Sequence, residues 1–315
     1  MKNYNVSVIG AGTMGRGIAQ LLAQKNVKVV LIDLNKEILE KAITYIQEQV
    51  MLFNEHGMLD RDMNDVVENI TFSTDLQDVN NSWLVIEAIP EKLELKQELF
   101  KKLEEICDPT IRFATNTSGL SIDDIAKTMR NPERLIGTHF FMPATIVPLV
   151  EVVKGDLTST DVINDIMEFL KKVGKYPALI NKSIPGFIGN RIQHAIAREA
   201  ISILEKGIAS AEDIDLIVRW SIGIRLLFTG PLEQRDLNGL DVHYNIANYL
   251  YKDLENRISP SPLLKSKVKK GELGIKSGKG FYDWKDMNES EVMKRKNIEL
   301  LKVIKYLHSI EQHDK

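Results

Sequence analysis

Two polar residues interrupt a stretch that is otherwise typical of a buried core, "THFFMPATIVPLVEVV" at residues 138–153. His139 lies among apolar neighbours, and Glu151 stands inside the apolar run "LVEVV". A neutral imidazole suits the role of general base near pH 7, and a carboxylate beside it orients the ring and stabilises the imidazolium. A buried carboxylate needs a partner in any case. The residues alone therefore allow either a catalytic pair or a structural pair.

A glycine-rich turn near the N-terminus has the pattern of a dinucleotide-binding loop. "GAGTMG" at residues 10–15 follows an apolar run and opens a helical pattern. Gly10 permits the tight turn, Gly12 lets the backbone approach a pyrophosphate, and Gly15 allows close helix–strand packing. Asp33, at the end of the second apolar run, suits the ribose hydroxyls and disfavours a 2′-phosphate, so NAD is predicted rather than NADP. The cofactor-binding residues predicted in this region are Gly10, Gly12, Thr13, Met14, Gly15 and Asp33.

The elements that must position these residues alternate between apolar runs and helical patterns. The runs "YNVSVIG", "KVVLID", "SWLVIEAI", "IRFATNT", "LIGTHFF" and "PLVEVV" are typical of buried strands. This alternation predicts an α/β, Rossmann-type, doubly wound domain over residues 1–184. An all-α domain is predicted over residues 185–315, with a first helix that opens near Pro185–Gly186 and ends near Gly207. It ends in a charged tail helix after Trp284.

Composition limits the classes of partner. The 315 residues carry a formal net charge of −3, from 41 basic and 44 acidic residues. This balance predicts no binding to nucleic acid or to a membrane surface. Cys107 is the single cysteine, which suits a reducing compartment. The N-terminus lacks the pattern of a cleaved signal and no apolar run is long enough to span a bilayer, so we expect a cytoplasmic protein. No metal site is predicted.

Seven motifs together resemble the 3-hydroxyacyl-CoA dehydrogenase family over nearly the whole chain up to Trp284. They are "VIGAGTMGRGIA", "VIEAIPEKLELK", "ATNTSGL", "THFFMPATIVPLVEVV", "PGFIGNRI", "GPLEQRDLNGLD" and "SGKGFYDW". The resemblance implies an oxidoreductase of fatty acid metabolism. Its reaction would be the reversible oxidation by NAD of an L-3-hydroxyacyl thioester, short-chain in this case, to the 3-ketoacyl thioester.

The resemblance also implies roles for individual residues. His139 falls on the general base of the family, and Glu151 falls on its partner acid. Ser118 of "NTS" falls on the residue that hydrogen-bonds the reacting oxygen, and Asn190 falls on one that borders the same pocket. The residues that it places at the nicotinamide half of NAD are Glu91, Lys96 and Asn116.

Three departures from the family pattern concern the substrate. Met142 stands where the family motif "HFFNP" has an asparagine. The segment "EQVMLFNEHGMLDRDMND" has Arg61 as its only Arg or Lys, where the family usually has lysines that contact the CoA nucleotide. "GIRLLFTGP" replaces the common "NHPMGP", and its Arg225 resembles relatives that oxidise free 3-hydroxy acids, such as carnitine or gulonate dehydrogenases. Arg225 can bind a substrate carboxylate, or instead pair with Asp236 or Glu233.

Three functions follow from the sequence. The first is an NAD-dependent 3-hydroxyacyl-CoA dehydrogenase, and the second is the same hydride chemistry on a small free 3-hydroxy acid. The third is a catalytically idle NAD-binding protein, which the intact set of polar site residues disfavours. The long apolar helices of the second domain predict a homodimer. The residues predicted to contact substrate are Ser118, Asn190 and Arg225.

Overall fold

A mixed sheet of eight strands forms the centre of the molecule's first unit. The computed structural model describes residues 4–313. The strands are β1 (Asn5–Ile9), β2 (Lys28–Ile32), β3 (Ile70–Ser73), β4 (Leu84–Glu87), β5 (Arg112–Thr115), β6 (Leu135–Phe140), β7 (Leu149–Lys154) and β8 (Tyr176–Ile180). Their order across the sheet is β3-β2-β1-β4-β5-β6-β7-β8. The order reverses between β1 and β4, which is where ligands bind in open α/β sheets.

Helices cover both faces of this sheet. They are α1 (Thr13–Gln24), α2 (Lys36–Glu55), α3 (Met63–Glu68), α4 (Leu93–Ile106), α5 (Ile122–Ala126) and α6 (Thr160–Lys172). Successive side chains of a strand point to opposite faces. Leu84 and Ile86 of β4 accordingly join one apolar core, and Val85 between them joins the other. The predicted doubly wound domain is confirmed.

The last two strands run against the first six. β1 to β6 pair in parallel, β6 and β7 pair antiparallel, and β7 and β8 pair in parallel. Residues 141–148 between β6 and β7 are too few for a crossover, which takes a dozen or more residues. The chain therefore turns back directly, and this reversal brings "GTHFF" beside "LVEVV".

A helical second unit follows. The described residues up to Ile188, with those from Leu300 onward, form the first unit, and Gly189–Glu299 form the second. The further helices are α7 (Gly189–Glu205), α8 (Ala211–Ile217), α9 (Ile224–Leu226), α10 (Pro231–Asn238), α11 (Leu240–Leu250), α12 (Pro262–Lys269) and α13 (Glu289–His313). The predicted all-α region is confirmed. No helix within residues 4–313 combines the length and apolarity needed to cross a membrane.

Two details differ from the sequence prediction. The first helix of the second unit begins at Gly189, later than predicted, because Gly186 and Phe187 have φ angles of +75° and +48°. The end of the tail helix groups with the first unit, because Leu301 packs in one cluster with Phe53 and Ile146. The domain limits 1–184 and 185–315 remain a proposal from the sequence.

Candidate active site

The predicted site residues of the first unit gather at one edge of the sheet. Gly10 follows β1, Asp33 follows β2 and Asn116 follows β5, while His139 is the last residue but one of β6. β7 runs in the opposite direction, so Glu151 near its start reaches the same edge. This edge is formed by the carboxyl ends of the parallel strands, where open α/β sheets bind ligands.

The glycine-rich loop has the shape that a dinucleotide requires. A Cβ atom on Gly10 would lie 2.7 Å from the carbonyl oxygen of Ala88, and one on Gly15 would lie 1.7 Å from the carbonyl oxygen of Gly10. A Cβ atom on Gly12 would meet nothing within 4 Å, so the space above this residue is open. Gly12 is also the N-cap of α1, and no side chain caps that helix. Open backbone at a helix N-terminus fits a pyrophosphate. The two predicted loop residues in the first turn of α1 are Thr13 and Met14.

Asp33 is held over this loop by two backbone donors. Its Oδ2 accepts a hydrogen bond from the Ala11 N–H at 2.9 Å, and its Oδ1 accepts one from the Asn35 N–H at 3.0 Å. The half-buried carboxylate therefore has a fixed orientation beside the glycine turn. Each oxygen retains a lone pair that can accept from a ribose hydroxyl.

His139 and Glu151 are direct cross-strand neighbours in the β6–β7 pair. Nδ1 of His139 lies 2.7 Å from Oε2 of Glu151, and the two residues are 6% and 2% exposed. An ionised carboxylate only accepts hydrogen bonds, so Nδ1 carries the proton and Nε2 is left as the acceptor. The register thus places the two residues opposite each other, and the contact between Nδ1 and Oε2 orients the imidazole at the sheet edge.

Two anchors hold the backbone around this pair. Oδ1 of Asn116 accepts a hydrogen bond from the Phe140 N–H at 3.0 Å, which ties the end of β5 to the end of β6. Lys175 is buried, and its Nζ donates to the carbonyl oxygens of Ala144 at 2.6 Å and Val147 at 2.7 Å. Burial lowers the pKa of this lysine to about 8. Lys175 therefore holds the loop of residues 141–148 at two points, Ala144 and Val147.

Met142 lies in that same loop and is 62% exposed. The ring of Phe141, the residue before it, packs against the imidazole of His139 with 4.5 Å between the ring centroids. A flexible apolar side chain therefore stands three residues after the imidazole, where the family motif has an amide.

A buried ion pair lies at the end of β4, next to the predicted nicotinamide region. Nζ of Lys96 is 2.6 Å from Oε1 of Glu87 and 3.3 Å from Oε2 of Glu91. Glu87 also accepts hydrogen bonds from the Ile89 N–H at 2.8 Å and the Thr115 hydroxyl at 2.6 Å. Burial raises the pKa of the Glu87 carboxyl above its ordinary value, although these partners oppose the shift. Every oxygen of Glu87 has a partner, as a buried charge requires.

Glu91 links this ion pair to the loop after β5. Its Oε1 accepts hydrogen bonds from the Thr117 hydroxyl at 2.6 Å and from the Ser118 N–H at 2.8 Å, and the Ser118 hydroxyl lies 3.2 Å away. Burial opposes ionisation of Glu91, but these hydrogen bonds and the Lys96 ammonium hold the pKa of its carboxyl below the ordinary value. Glu91 is therefore a carboxylate at neutral pH, and it orients the exposed Ser118.

The two remaining predicted residues belong to the second unit. Asn190 is the second residue of α7 and is half-buried. Arg225, in α9, is exposed, and its Nε donates to the carbonyl oxygen of Ser221 at 2.8 Å. No salt bridge joins Arg225 to Asp236 or to Glu233 in the described part of the chain.

Sequence reasoning missed Glu87 and Lys175. Glu87 gives the same signal as Glu151, a carboxylate inside the apolar run "LVIEAI", and this signal was sufficient to find it. Lys175 gives no local signal, because its partners are backbone carbonyl groups of a distant loop. Within residues 4–313, no three His, Cys, Asp or Glu side chains converge as metal ligands would.

The fold, the open glycine turn and the oriented Asp33 define a dinucleotide-binding domain of the Rossmann type. The family model described as 3-hydroxyacyl-CoA dehydrogenase, NAD binding domain, matches residues 5–183. The model described as 3-hydroxyacyl-CoA dehydrogenase, C-terminal domain, matches residues 186–284. The chain belongs to the 3-hydroxyacyl-CoA dehydrogenase family, so the resemblance of its motifs is confirmed.

Two similar proteins are named for different kinds of substrate. A probable 3-hydroxybutyryl-CoA dehydrogenase from Bacillus subtilis is 36% identical over 288 residues, which cover 91% of this chain and 99% of the relative. A 5-formyl-3-hydroxy-2-methylpyridine 4-carboxylate 5-dehydrogenase from Mesorhizobium japonicum is 31% identical over 279 residues, 88% of this chain and 90% of the relative. A crystal structure of a dehydrogenase for that same pyridine acid, described as an NAD+-dependent dismutase, is 29% identical, has a TM-score of 0.89 and covers 96% of this chain and 98% of its own.

Proposed function

We propose that the protein oxidises a 3-hydroxyacyl substrate to its 3-keto form, with His139 as general base and Glu151 as the acid that orients it. The observation that supports this proposal is the 2.7 Å contact between Nδ1 and Oε2, which leaves Nε2 as a proton acceptor. NAD, when bound, supplies the ring that accepts the hydride. His139 takes the hydroxyl proton on Nε2, and Glu151 stabilises the imidazolium that forms. In the reverse direction the imidazolium returns this proton to the carbonyl oxygen.

The remaining predicted residues would bind substrate and cofactor. Ser118 would donate a hydrogen bond to the reacting oxygen after its hydroxyl proton, which points to Oε1 of Glu91 at 3.2 Å, turns away from that carboxylate. Asn190 would contribute a second polar group to the same oxygen. Lys96 would act at the nicotinamide half of NAD, together with Glu91 and Asn116. The residues that would hold the rest of the cofactor are Gly10, Gly12, Thr13, Met14, Gly15 and Asp33.

The first candidate substrate is a short-chain L-3-hydroxyacyl-CoA, such as 3-hydroxybutyryl-CoA. Membership of the family and the similarity to the Bacillus subtilis relative support it. The CoA nucleotide would have to bind near the helical segment of the first unit, which in this chain consists of α2 and α3.

The charge of that segment favours a second candidate, a small free 3-hydroxy acid. Residues 36–69 contain eight acidic side chains and three basic ones. Two of the three cations have a carboxylate oxygen at 3.9 Å, Lys36 from Glu40 and Arg61 from Asp65. A surface pocket of about 420 Å³ on α2 is lined by Glu37, Glu40, Lys41, Thr44, Tyr45 and Glu48. An acidic surface repels the phosphates of CoA, so these charges oppose a CoA ester.

Two further observations support the free acid. The relative and the solved structure that act on a pyridine carboxylate match this chain over almost its whole length. Arg225 is exposed and has no salt bridge within the described residues, which suits a guanidinium that binds a substrate carboxylate in bidentate fashion.

An assay of NADH oxidation with acetoacetyl-CoA beside free 3-keto acids separates the candidates. Turnover of acetoacetyl-CoA supports the thioester, and turnover of acids alone supports the second candidate. We expect Arg225→Met to lower kcat/KM for free acids about 10- to 100-fold, because a charge-assisted hydrogen bond is lost. Arg219→Met, on the same helical stretch, is the matched control and should change neither activity. Equal losses for both substrates in Arg225→Met would remove Arg225 from the acid-binding role.

We further propose that the second unit associates with a second copy of the chain. Within Gly189–Glu299, every residue of which is described, Ile214 is the one buried large apolar side chain. The other large apolar side chains of this unit are partly or fully exposed, and extensive exposed apolar surface marks an interaction site. Its most exposed members include Trp220, Leu232, Leu237, Tyr244, Tyr251 and Ile258. Light scattering should give twice the monomer mass of 35.7 kDa, and a monomer would contradict the proposal.

A further inference from the structure

The segment Ser183–Ile188, between β8 and α7, has an unusual backbone. Gly186 and Phe187 both have positive φ angles, +75° and +48°. Glycine adopts this conformation readily, but a bulky residue such as phenylalanine does so rarely and at a cost in free energy. Surrounding contacts must therefore hold Phe187 in place.

Phe187 packs against the imidazole of the candidate base. Its side chain is fully buried, and its ring centroid lies 5.7 Å from that of His139, with 59° between the planes. Phe141 packs on the same imidazole at 4.5 Å. Two aromatic rings therefore limit the rotation of His139 and keep water from it.

The next residue binds the candidate acid. The N–H of Ile188 donates to Oε1 of Glu151 at 3.0 Å. Oε2 of the same carboxylate accepts from Nδ1 of His139 at 2.7 Å. Its two oxygens therefore face different partners, and the Ile188 N–H sets the rotation of the carboxylate that receives the imidazole. The left-handed turn at Phe187 precedes this N–H and aims it.

The same segment supports the loop that carries Ser118. A Cβ atom on Gly119 would lie 3.0 Å from the backbone nitrogen of Gly186, so the two backbones are in close contact. The hydroxyl of Ser183 accepts a hydrogen bond from the Ile122 N–H at 3.3 Å, just beyond the loop. The segment therefore contacts the surroundings of all three first-unit residues that are candidates for the proton transfer.

We propose that Phe187 and the Ile188 N–H are positioning elements, which hold His139 and Glu151 in the geometry for proton transfer. The inference rests on the proposed function of that pair and adds a residue outside it. The β6–β7 register places the two Cα atoms opposite each other, but it does not set the side-chain rotations. The ring of Phe187 sets the rotation of the His139 imidazole. The left-handed backbone of Phe187 sets the rotation of the Glu151 carboxylate, because it aims the Ile188 N–H that follows.

Two substitutions separate positioning from simple core packing. Phe187→Leu keeps an apolar side chain without the ring, and Phe187→Gly permits the positive φ but removes the side chain. We expect kcat to fall about tenfold or more in both variants, because small misplacements of reacting groups are costly. The pH profile of kcat should change, and the NADH affinity should stay within about twofold of wild type.

Phe169→Leu is the matched control. Phe169 is as buried as Phe187, but its ring packs on Tyr4 and Trp83 at the opposite edge of the sheet. The Phe169→Leu variant should have a lower melting temperature and an unchanged pH profile of kcat.

A readout without turnover keeps this inference separate from the proposed function. The Nδ1–H proton that His139 donates to Glu151 should give a downfield proton NMR signal, assigned by its loss in His139→Gln. We expect the signal to shift or disappear in Phe187→Gly and to persist in Phe169→Leu. If wild type turns over no substrate but the signal responds in this way, the positioning role stands and the proposed function fails.

Gly119→Ala perturbs the segment Ser183–Ile188 through its contact with Gly186. This variant tests the positioning role if the Phe187 variants do not fold. Its added Cβ atom would displace Gly186, and we expect the same changes in the pH profile and in the NMR signal, at smaller amplitude. An unchanged signal and pH profile in the folded variants would overturn the inference and leave Phe187 as a packing residue.

Discussion

Replacing His139 by glutamine should lower kcat about 100- to 10,000-fold while NADH affinity stays within about twofold of wild type. The size of the loss is that of a missing general base, because glutamine has no titratable nitrogen to accept the hydroxyl proton. The predicted cofactor residues lie in helices and in loops that follow other strands, so we expect NADH binding to stay unchanged. Steady-state kinetics give kcat, and the fluorescence of bound NADH gives the affinity.

His56→Gln is the matched control, because His56 is an exposed histidine at the end of α2. It should retain full activity. If His139→Gln melts at a lower temperature but turns over at nearly the wild-type rate, then the pair with Glu151 is structural, which is the alternative that the residues alone left open.

Replacing Lys96 by methionine should lower the free energy of unfolding by about 3–5 kcal/mol, because it leaves a buried carboxylate without its cation. Lys96 and Glu87 have side chains that are 1% and 0% exposed, and 2.6 Å separates Nζ from Oε1. Denaturant unfolding measures this loss of stability.

The matched control is Lys102→Met, because Lys102 lies on the same helix and forms an exposed pair with Glu98. Solvent screens that pair, so little change is expected.

The pH dependence of this loss has a definite sign. Burial raises the pKa of Glu87 in the folded state above its ordinary value of 4.5, so folded Glu87 takes up a proton at a higher pH than the unfolded chain does. A carboxyl group with a higher pKa in the folded state lowers the free energy of unfolding as the pH rises from the unfolded-state pKa through the folded-state pKa. The difference between wild type and Lys96→Met should therefore shrink as the pH falls toward 4.5.

A double variant tests the cause directly. Lys96→Met combined with Glu87→Gln removes both charges, and we expect most of the lost stability to return. If the double variant is as unstable as Lys96→Met alone, then the loss comes from altered packing around α4 and not from the unpaired carboxylate.

Local patterns were sufficient for most of the sheet and insufficient for two strands. Six apolar runs predicted six strands, and each is present. β3 has only four residues, "ITFS", which is too short for a periodic pattern. β8, "YPALI", contains Pro177 and is largely exposed, as suits an edge strand, so its composition resembles a loop. Both strands exist because a neighbouring strand pairs with them, and that neighbour is distant in the sequence.

The candidate site divides in the same way. The glycine turn and Asp33 were predictable, because the glycine spacing follows one apolar run and opens a helical pattern, and the acid ends the next apolar run. His139 and Glu151 were found as polar residues in apolar runs, and the side-chain contact that the sequence allowed is present, with 2.7 Å between Nδ1 and Oε2. Phe187 was not singled out, because a phenylalanine in an apolar segment looks like any other core residue.

The sequence by itself determined the family, the cofactor class and the identities of the candidate base and acid. These depend on residue type and on short spacings, which the chain carries locally. The tertiary structure decided what surrounds them. It decided that the Ile188 N–H shares Glu151 with His139 and that Lys175 anchors the loop between their strands. It also placed Lys96 between two carboxylates. The contacts of Ile188 and Lys175 join residues that are far apart in sequence, so they exist only once the sheet has formed. Burial strengthens all of these contacts, including the more local ion pair of Lys96.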